Sequence, residues 1–341
     1  MLSTIGTCLF VVSSIAVLPE SLRFFADTPF LGGTDVNLIT GGEIFPKVTQ
    51  SESAVWGQGN TIVVVYNDSR GSSLSPVNYS GISVSTDGGA TFTRLSPSPF
   101  TGSGANFGEP SIFYSVRAGK WYAGFIARGC GGNGLGQWES ADGLSWTASG
   151  CMASGNLDGV FTWVDNNPNS AFYGRQYAAF NNFDIATTPP QLRYSTDDGV
   201  TWSAAITLSS SFRRVRSVTG SRGADGTVFV QGLEEGSGGL DGLRRNFIYR
   251  STNGGASFSE IAQNATTFLS PGRSSSSGFY GMYSSPVAGY WRENGWGQAG
   301  VGPGGVVHFA TLVAPRLPQI LATSITSVPP ITALPGLLRC S

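Results

Sequence analysis

The phrase STDGGATF at residues 85–92 returns as SADGLSWT at 140–147, STDDGVTW at 195–202 and STNGGASF at 251–258. Its third position is Asp87, Asp142, Asp197 and Asn253, so the steps are 55, 55 and 56 residues. Even spacing of this kind marks a repeated structural unit and constrains the fold more than any other feature of the chain. The copies sit between strand-like runs: GISVS and TFTRL around the first, QLRYS and WSAAITL around the third, NFIYR and SFSEI around the fourth. Each copy therefore reads as the turn of a hairpin. Asp accepts hydrogen bonds from the turn's own N–H groups, Gly supplies positive φ, and Trp or Phe packs beneath.

Two further strand-like runs precede each hairpin. They are SESAVWG and TIVVVYN, EPSIFYS and KWYAGFIA, VFTWVD and QYAAF, then VRSVTG and TVFVQG. A unit thus has four strands, A to D, with the phrase at the C–D turn. Four-stranded antiparallel units repeated about an axis make an all-β propeller. Composition agrees, since 48 Gly and 18 Pro in a chain only 12% charged suit short strands and tight turns. The net charge of −1, with no basic run or acidic tail, removes nucleic acid and anionic membrane surfaces as expected partners.

The pattern S-x-D-x-G-x-x-W/F resembles the Asp-box, or BNR repeat, of sialidases and of related propellers such as sortilin ectodomains and some xyloglucan hydrolases. Over residues 40–312 the chain looks most like bacterial exo-α-sialidase-like proteins. The resemblance implies a six-bladed propeller, of which about five blades are visible, and a glycoside hydrolase acting on terminal acidic sugars. It implies a glycan substrate, no cofactor and a chain that works as a monomer. Sialidases use an arginine triad, a Tyr activated by a Glu, and an Asp as acid/base. Two features depart from that pattern. The F/Y-R-I-P motif is absent, its nearest stretch being IFPKV with Lys47, and no tyrosine matches the nucleophile.

In an antiparallel blade the C–D turn lies at the face opposite the start of A and the end of B. Asp87, Asp142, Asp197 and Asn253 are accordingly expected to clamp turns, and chemistry is expected at the other face. Unit one offers Glu52, Asp68 and Arg70 there, and unit two Glu109 and Arg128. Unit three offers Asp158, Asn181, Asn182 and Asp184; unit four Arg213, Arg214, Arg216, Glu234 and Glu235; unit five Arg292, Glu293 and His308. Arg70, Arg128 and Arg214 are the candidates for holding a substrate carboxylate through a planar fork. Glu52, Glu109 and Glu234 are candidates for activating a nucleophile or orienting those arginines, with Asp68 as acid/base. The competing reading makes each pair a surface ion pair of small value. Trp56, Trp121 and Trp163 are expected to pack between blades, and His308 to line the channel.

Of four cysteines, Cys130 and Cys151 flank the second phrase and are expected to form a disulfide, which suits an oxidising compartment. One His and no C-x-x-C leave no expected metal site. Residues 1–25 resemble a secretory leader, with a buried first strand or a misassigned start as alternatives. The expected localisation is extracellular or periplasmic. Residues 313–341 are Pro-rich without a fifth phrase, so unit five shows A and B but no C or D. Either the N-terminal segment closes the ring, or the chain is truncated or frame-shifted near residue 311. Besides the hydrolase, a non-catalytic carbohydrate- or protein-binding propeller and an inactive family member fit this sequence.

Overall fold

The runs richest in Val, Ile and aromatic residues become strands, and those apolar along their whole length become the buried ones. The computed structural model describes residues 35–42, 47–220, 225–234, 243–263, 268–269, 282–285, 289–292, 297–302, 307–312 and 323–328. Strands β1 (Gln50–Gln58), β2 (Thr61–Asp68), β3 (Ser80–Ser85) and β4 (Thr93–Arg94) form one antiparallel sheet in chain order. Strands β5 (Ser111–Ser115), β6 (Lys120–Ala127), β7 (Gly132–Ser140) and β8 (Thr147–Ala153) repeat the pattern. So do β9 (Gly155–Val164), β10 (Gln176–Asn182), β11 (Pro190–Ser195) and β12 (Ile206–Thr207). A short parallel pairing of β7 with β9 links those two sheets. The fourth unit is β13 (Arg214–Gly220), β14 (Val228–Glu234), β15 (Leu243–Ser251) and β16 (Ser259–Gln263), with β17 (Phe268–Leu269) pairing β15.

Two elements beyond these were not legible as strands. A hairpin, β18 (Met282–Ser285) and β19 (Gly289–Arg292), precedes the last sheet. That sheet contains β20 (Gln298–Val301), β21 (Val307–Leu312) and a third strand, β22 (Thr323–Val328). The Pro-rich tail therefore supplies a strand where none was expected. TSITSV is rich in β-branched residues, a strand signal that the surrounding prolines obscure. All these sheets belong to one compact unit, Asn37–Ser341; the other, Met1–Val36, lies outside the described residues except at 35 and 36. Among the described residues no helix is long and apolar enough to cross a membrane.

The core lies between successive sheets. Val63, Val65 and Ile82 of the first pack with Trp121, Phe125 and Trp138 of the second. Ile126 and Leu135 meet Leu157, Val160 and Phe180 of the third. Tyr177 and Leu192 meet Val215, Val230 and Phe247 of the fourth, and Phe229 and Ile248 meet Val307 and Phe309 of the last. The second strands of the first four sheets are thus buried on both faces, as TIVVVYND in β2 shows. Each first strand faces an axis: β1 lies against β5, β5 against β9, β9 against β13 and β13 against β20.

The register separates the two faces. Ser51 sits beside Asn67, whereas Gly57 sits beside Ile62 and Ile62 beside Ser85, so the STDGG turn is at the far end from Glu52. In that turn Asp87 accepts hydrogen bonds from Ser85 Oγ (2.7 Å), Thr91 N (2.9 Å) and Thr91 Oγ1 (2.6 Å). Asp197 repeats this with Ser195 and Thr201; Asp142 takes the N–H groups of Leu144 and Ser145, and Asn253 that of Ser257. These bonds hold the carboxyls of Asp87 and Asp197 below their ordinary value, the Thr91 and Thr201 hydroxyls contributing most. Asp197→Ala is therefore expected to lower stability at neutral pH. The gap to wild type should close as the pH falls below the ordinary 3.8 and through the depressed folded-state value. Thermal melts between pH 7 and pH 2 read this directly.

Cys130, in a 3-10 turn before β7, is disulfide-bonded to Cys151 on β8, with a Cα–Cα distance of 5.6 Å. The bridge closes a loop around the β7–β8 hairpin across a separation of 21 residues. By loop entropy, Cys151→Ser should cost about 3 kcal/mol, measured by urea unfolding of variant and wild type.

Candidate functional site

The first strands of the sheets enclose an axial cavity of about 1350 Å³. Five charged side chains line one end of it: Glu52 from β1, Glu109 just before β5, Asp158 from β9, and Arg214 and Arg216 from β13. Trp56, Trp163 and Asp165 line it toward the other end of the same strands. Trp163 also stacks on Tyr177, with ring centroids 5.4 Å apart, and Trp56 packs against the inter-sheet core, while Trp121 is wholly within that core.

The charged end owes its shape to a β-bulge that recurs in the first strands. Between Ser51 and Ala54, pairing with β2 slips by one residue, so Glu52 and Ser53 together face Tyr66. The third sheet slips between Asp158 and Phe161, and the fourth between Val215 and Ser217. A bulge of this kind favours Gly in its first position, because that residue adopts positive φ. The third sheet has Gly159 there, at φ 80°. Glu52 and Glu109 take the equivalent places with φ of 54° and 57°. Side chains larger than Gly pay about 1–3 kcal/mol of strain in such a conformation, and persist where the surroundings over-determine them. In both cases the bulge delivers a carboxyl to the cavity.

Asparagines tie these bulges to the neighbouring sheet. Asn67 Nδ2 donates to Glu52 Oε2 (2.8 Å), and Asn67 Oδ1 accepts the N–H of Glu109 (2.8 Å). Asn181 Oδ1 likewise accepts the N–H of Val215 (2.9 Å). Between the second and third sheets the position matching Asn67 is Ile126, and there Glu109 Oε2 itself accepts the N–H of Gly159 (2.6 Å). A Cβ on Gly108 would collide with Asn67 Oδ1, so glycine is required before Glu109.

Electrostatics single out Glu109. Burial pushes the Glu109 carboxyl above its ordinary range, and the negative charge of Glu52 adds to that. The Gly159 N–H and the guanidiniums of Arg214 and Arg216 pull the other way without cancelling it. Glu52 is exposed to the cavity, Glu109 half-buried and Arg216 buried. Arg214 Nη1 donates to Asp158 Oδ2, forming an ion pair at the rim.

The other candidates lie elsewhere. Asp68 is buried in an ion pair with Arg94 (Nη2–Oδ2 2.5 Å) and also accepts the N–H of Arg70; it does not line the cavity. Arg70 is in the 3-10 turn after β2, and Arg128, exposed, in that after β6. Glu234 pairs with Arg213 at 3.5 Å, and that guanidinium lies 4.0 Å from the Phe247 ring centroid. Arg70, Arg128 and Arg214 are therefore not brought together in the cavity. His308 is exposed on β21 and does not line it, correcting the expected channel position: alternation along β21 turns Val307 and Phe309 inward and His308 out. Glu235 and Glu293 lie outside the described residues, as does the side chain of Arg292. Among the described residues no group of three His, Cys, Asp or Glu side chains is placed to hold a metal ion.

No protein-family model matches the sequence, and no curated protein matches it either. Solved structures do. The α-L-arabinofuranosidase Arb93A of Fusarium graminearum, in complex with an iminosugar inhibitor, superposes with a TM-score of 0.52 at 13% identity. That match covers 82% of this chain and 93% of that one. A protein of unknown function from Dyadobacter fermentans superposes with a TM-score of 0.52 at 16% identity, over 82% of this chain and 77% of that one. At such identities the likeness speaks for the fold: an all-β architecture of the kind found in β-propeller hydrolases.

Proposed function

We propose that this chain is a glycoside hydrolase whose reaction takes place at the charged end of the axial cavity. The observation that carries the reading is the pair Glu52 and Glu109. Two carboxyls enter one cavity from equivalent strained bulges, and burial raises the pKa of one of them, Glu109. A carboxyl with a raised pKa beside a second carboxyl is an arrangement that suits glycoside cleavage. Glu109 is the general acid that protonates the departing glycosidic oxygen. Glu52, aimed by Asn67, is the carboxylate that attacks the anomeric carbon or activates water. Asp158, held by Arg214, adds negative charge near an oxocarbenium-like transition state. The likeness to an arabinofuranosidase that accommodates an iminosugar supports the same reading.

The finer form of the proposal is a terminal acidic sugar cleaved by a six-bladed, sialidase-like ring. Arg216, entering the cavity from β13, supports it, because a guanidinium fork binds carboxylates. The disulfide supports work in an oxidising compartment, as for a secreted enzyme. The test is release of nitrophenol from aryl α-L-arabinofuranoside, aryl β-galactoside and aryl α-sialoside. Cleavage of the sialoside alone selects the acidic-sugar form, and cleavage of a neutral glycoside selects the broader one. Binding of these sugars without cleavage of any overturns the hydrolase in favour of a carbohydrate-binding propeller.

A further inference from the structure

Three phenylalanines are the exposed aromatics among the described residues, and two of them flank the charged end of the cavity. Phe183 follows β10 and is 41% exposed; Phe212 precedes β13 and is 37% exposed. The Arg214 guanidinium carbon lies 5.7 Å from the centre of the Phe183 ring and 5.6 Å from that of Phe212. The same arginine lines the cavity and pairs with Asp158, so the two rings continue the cavity outward.

Both rings stand on fixed backbone. The N–H of Phe183 donates to Asn156 O (2.9 Å), and Asp184 beside it accepts the N–H of Asn156 (2.9 Å). The carbonyl of Phe212 accepts from Arg213 Nη1 (2.9 Å), and the next carbonyl, of Arg213, accepts from Asn181 Nδ2 (2.9 Å). Flat apolar surface on a pinned loop, left in water beside a pocket, marks a ligand-contacting patch more than incidental exposure.

We infer that Phe183, Phe212 and Arg214 form a second sugar subsite, which holds the ring adjacent to the one in the cavity. The inference rests on the glycan reading above and deepens it, making the substrate an oligosaccharide and not a lone terminal sugar. The chemistry is complementary. A sugar ring offers an apolar C–H face that fits a flat aromatic surface and hydroxyls at its edge that accept from guanidinium N–H donors. Arg214 also has its charge balanced by Asp158, which suits an uncharged ring at this position.

The test is a chain-length series measured by calorimetry on the full chain: arabinose and arabinotriose, galactose and β-1,3-galactotriose, sialic acid and sialyllactose. For the sugar that binds, wild type is expected to hold the longer form roughly tenfold more tightly than the monosaccharide. In Phe183→Leu and Phe212→Leu, which keep apolar bulk and lose the flat face, that ratio should fall toward one. Phe183→Tyr should retain it. Monosaccharide binding with no gain for the longer sugar, or a ratio unmoved in both Leu variants, would overturn the subsite while leaving the glycan reading in place. No sugar bound at any length would overturn both. Sedimentation showing a wild-type dimer that the Leu variants convert to monomer would assign the rings to a second copy of this chain and overturn the subsite as well.

Discussion

Glu109→Gln is expected to lower turnover of the cleaved glycoside by about 10²- to 10⁴-fold, the usual worth of a positioned general acid, and to raise the melting temperature at neutral pH. The two effects share one cause. Burial and the charge of Glu52 raise the pKa of Glu109 above its ordinary 4.5, so the folded state prefers this carboxyl protonated. A raised folded-state value means that stability is full below the unfolded value and declines as the pH rises through the folded one. Above that window wild type carries the cost of a half-buried carboxylate, which Gln does not. Gln Oε1 can still accept the Gly159 N–H that now goes to Glu109 Oε2, so the tie to the third sheet survives. The stability gain should accordingly fade as the pH drops toward 4.5, and melts across pH 4 to 8 read it. The same ionisation places the alkaline limb of the rate profile at Glu109, since only the protonated form donates. A Gln variant that keeps its activity, or one whose stability gain over wild type is no larger at pH 8 than at pH 4, would remove Glu109 from the acid's role.

The repeat phrase made the sheets legible: four hairpins, the strand pairs before them and the opposition of the two faces all follow from its spacing. Position along a strand was legible too, which is why Glu52, Glu109 and Arg214 meet at one end of the cavity. Which face each residue takes was not. At the end of β2, Asn67 reaches Glu52 while its neighbour Asp68 points into the sheet toward Arg94. Successive side chains on a strand point to opposite sides, so two adjacent polar residues cannot both serve the axis. The bulges compound the difficulty, because each inserts a residue and resets the alternation without a composition signal of its own. Only the match of Glu52 and Glu109 with Gly159 marks them, and that match needs the register. Arg70 and Arg128 stay off the cavity lining for a different reason: both lie past the strand end, in 3-10 turns.

Arg94→Met is expected to be strongly destabilising, costing about 3–5 kcal/mol. The side chains of Arg94 and Asp68 are 2% and 8% exposed, and their contact of 2.5 Å lies inside the first sheet, between β2 and β4. Two charges so placed give back in mutual attraction much of what their desolvation costs, so the pair contributes little net stability. Removing one partner is a different matter. Met fills the space of the arginine stem, but Asp68 then keeps only hydrogen bonds such as that from the Arg70 N–H. Its carboxylate remains buried without a countercharge, and the full desolvation penalty appears. Replacing both, as Asp68→Leu with Arg94→Met, should recover most of the loss, because an apolar pair of similar volume has no charge to strand. Urea unfolding of wild type, both single variants and the double variant closes the cycle and isolates the coupling. The folded fraction of Arg94→Met should keep its specific activity, since this ion pair lies outside the cavity. Equal losses of activity and stability in that variant would return Asp68 to the reaction; a loss of stability alone leaves it as the buried anion that fixes the end of β2.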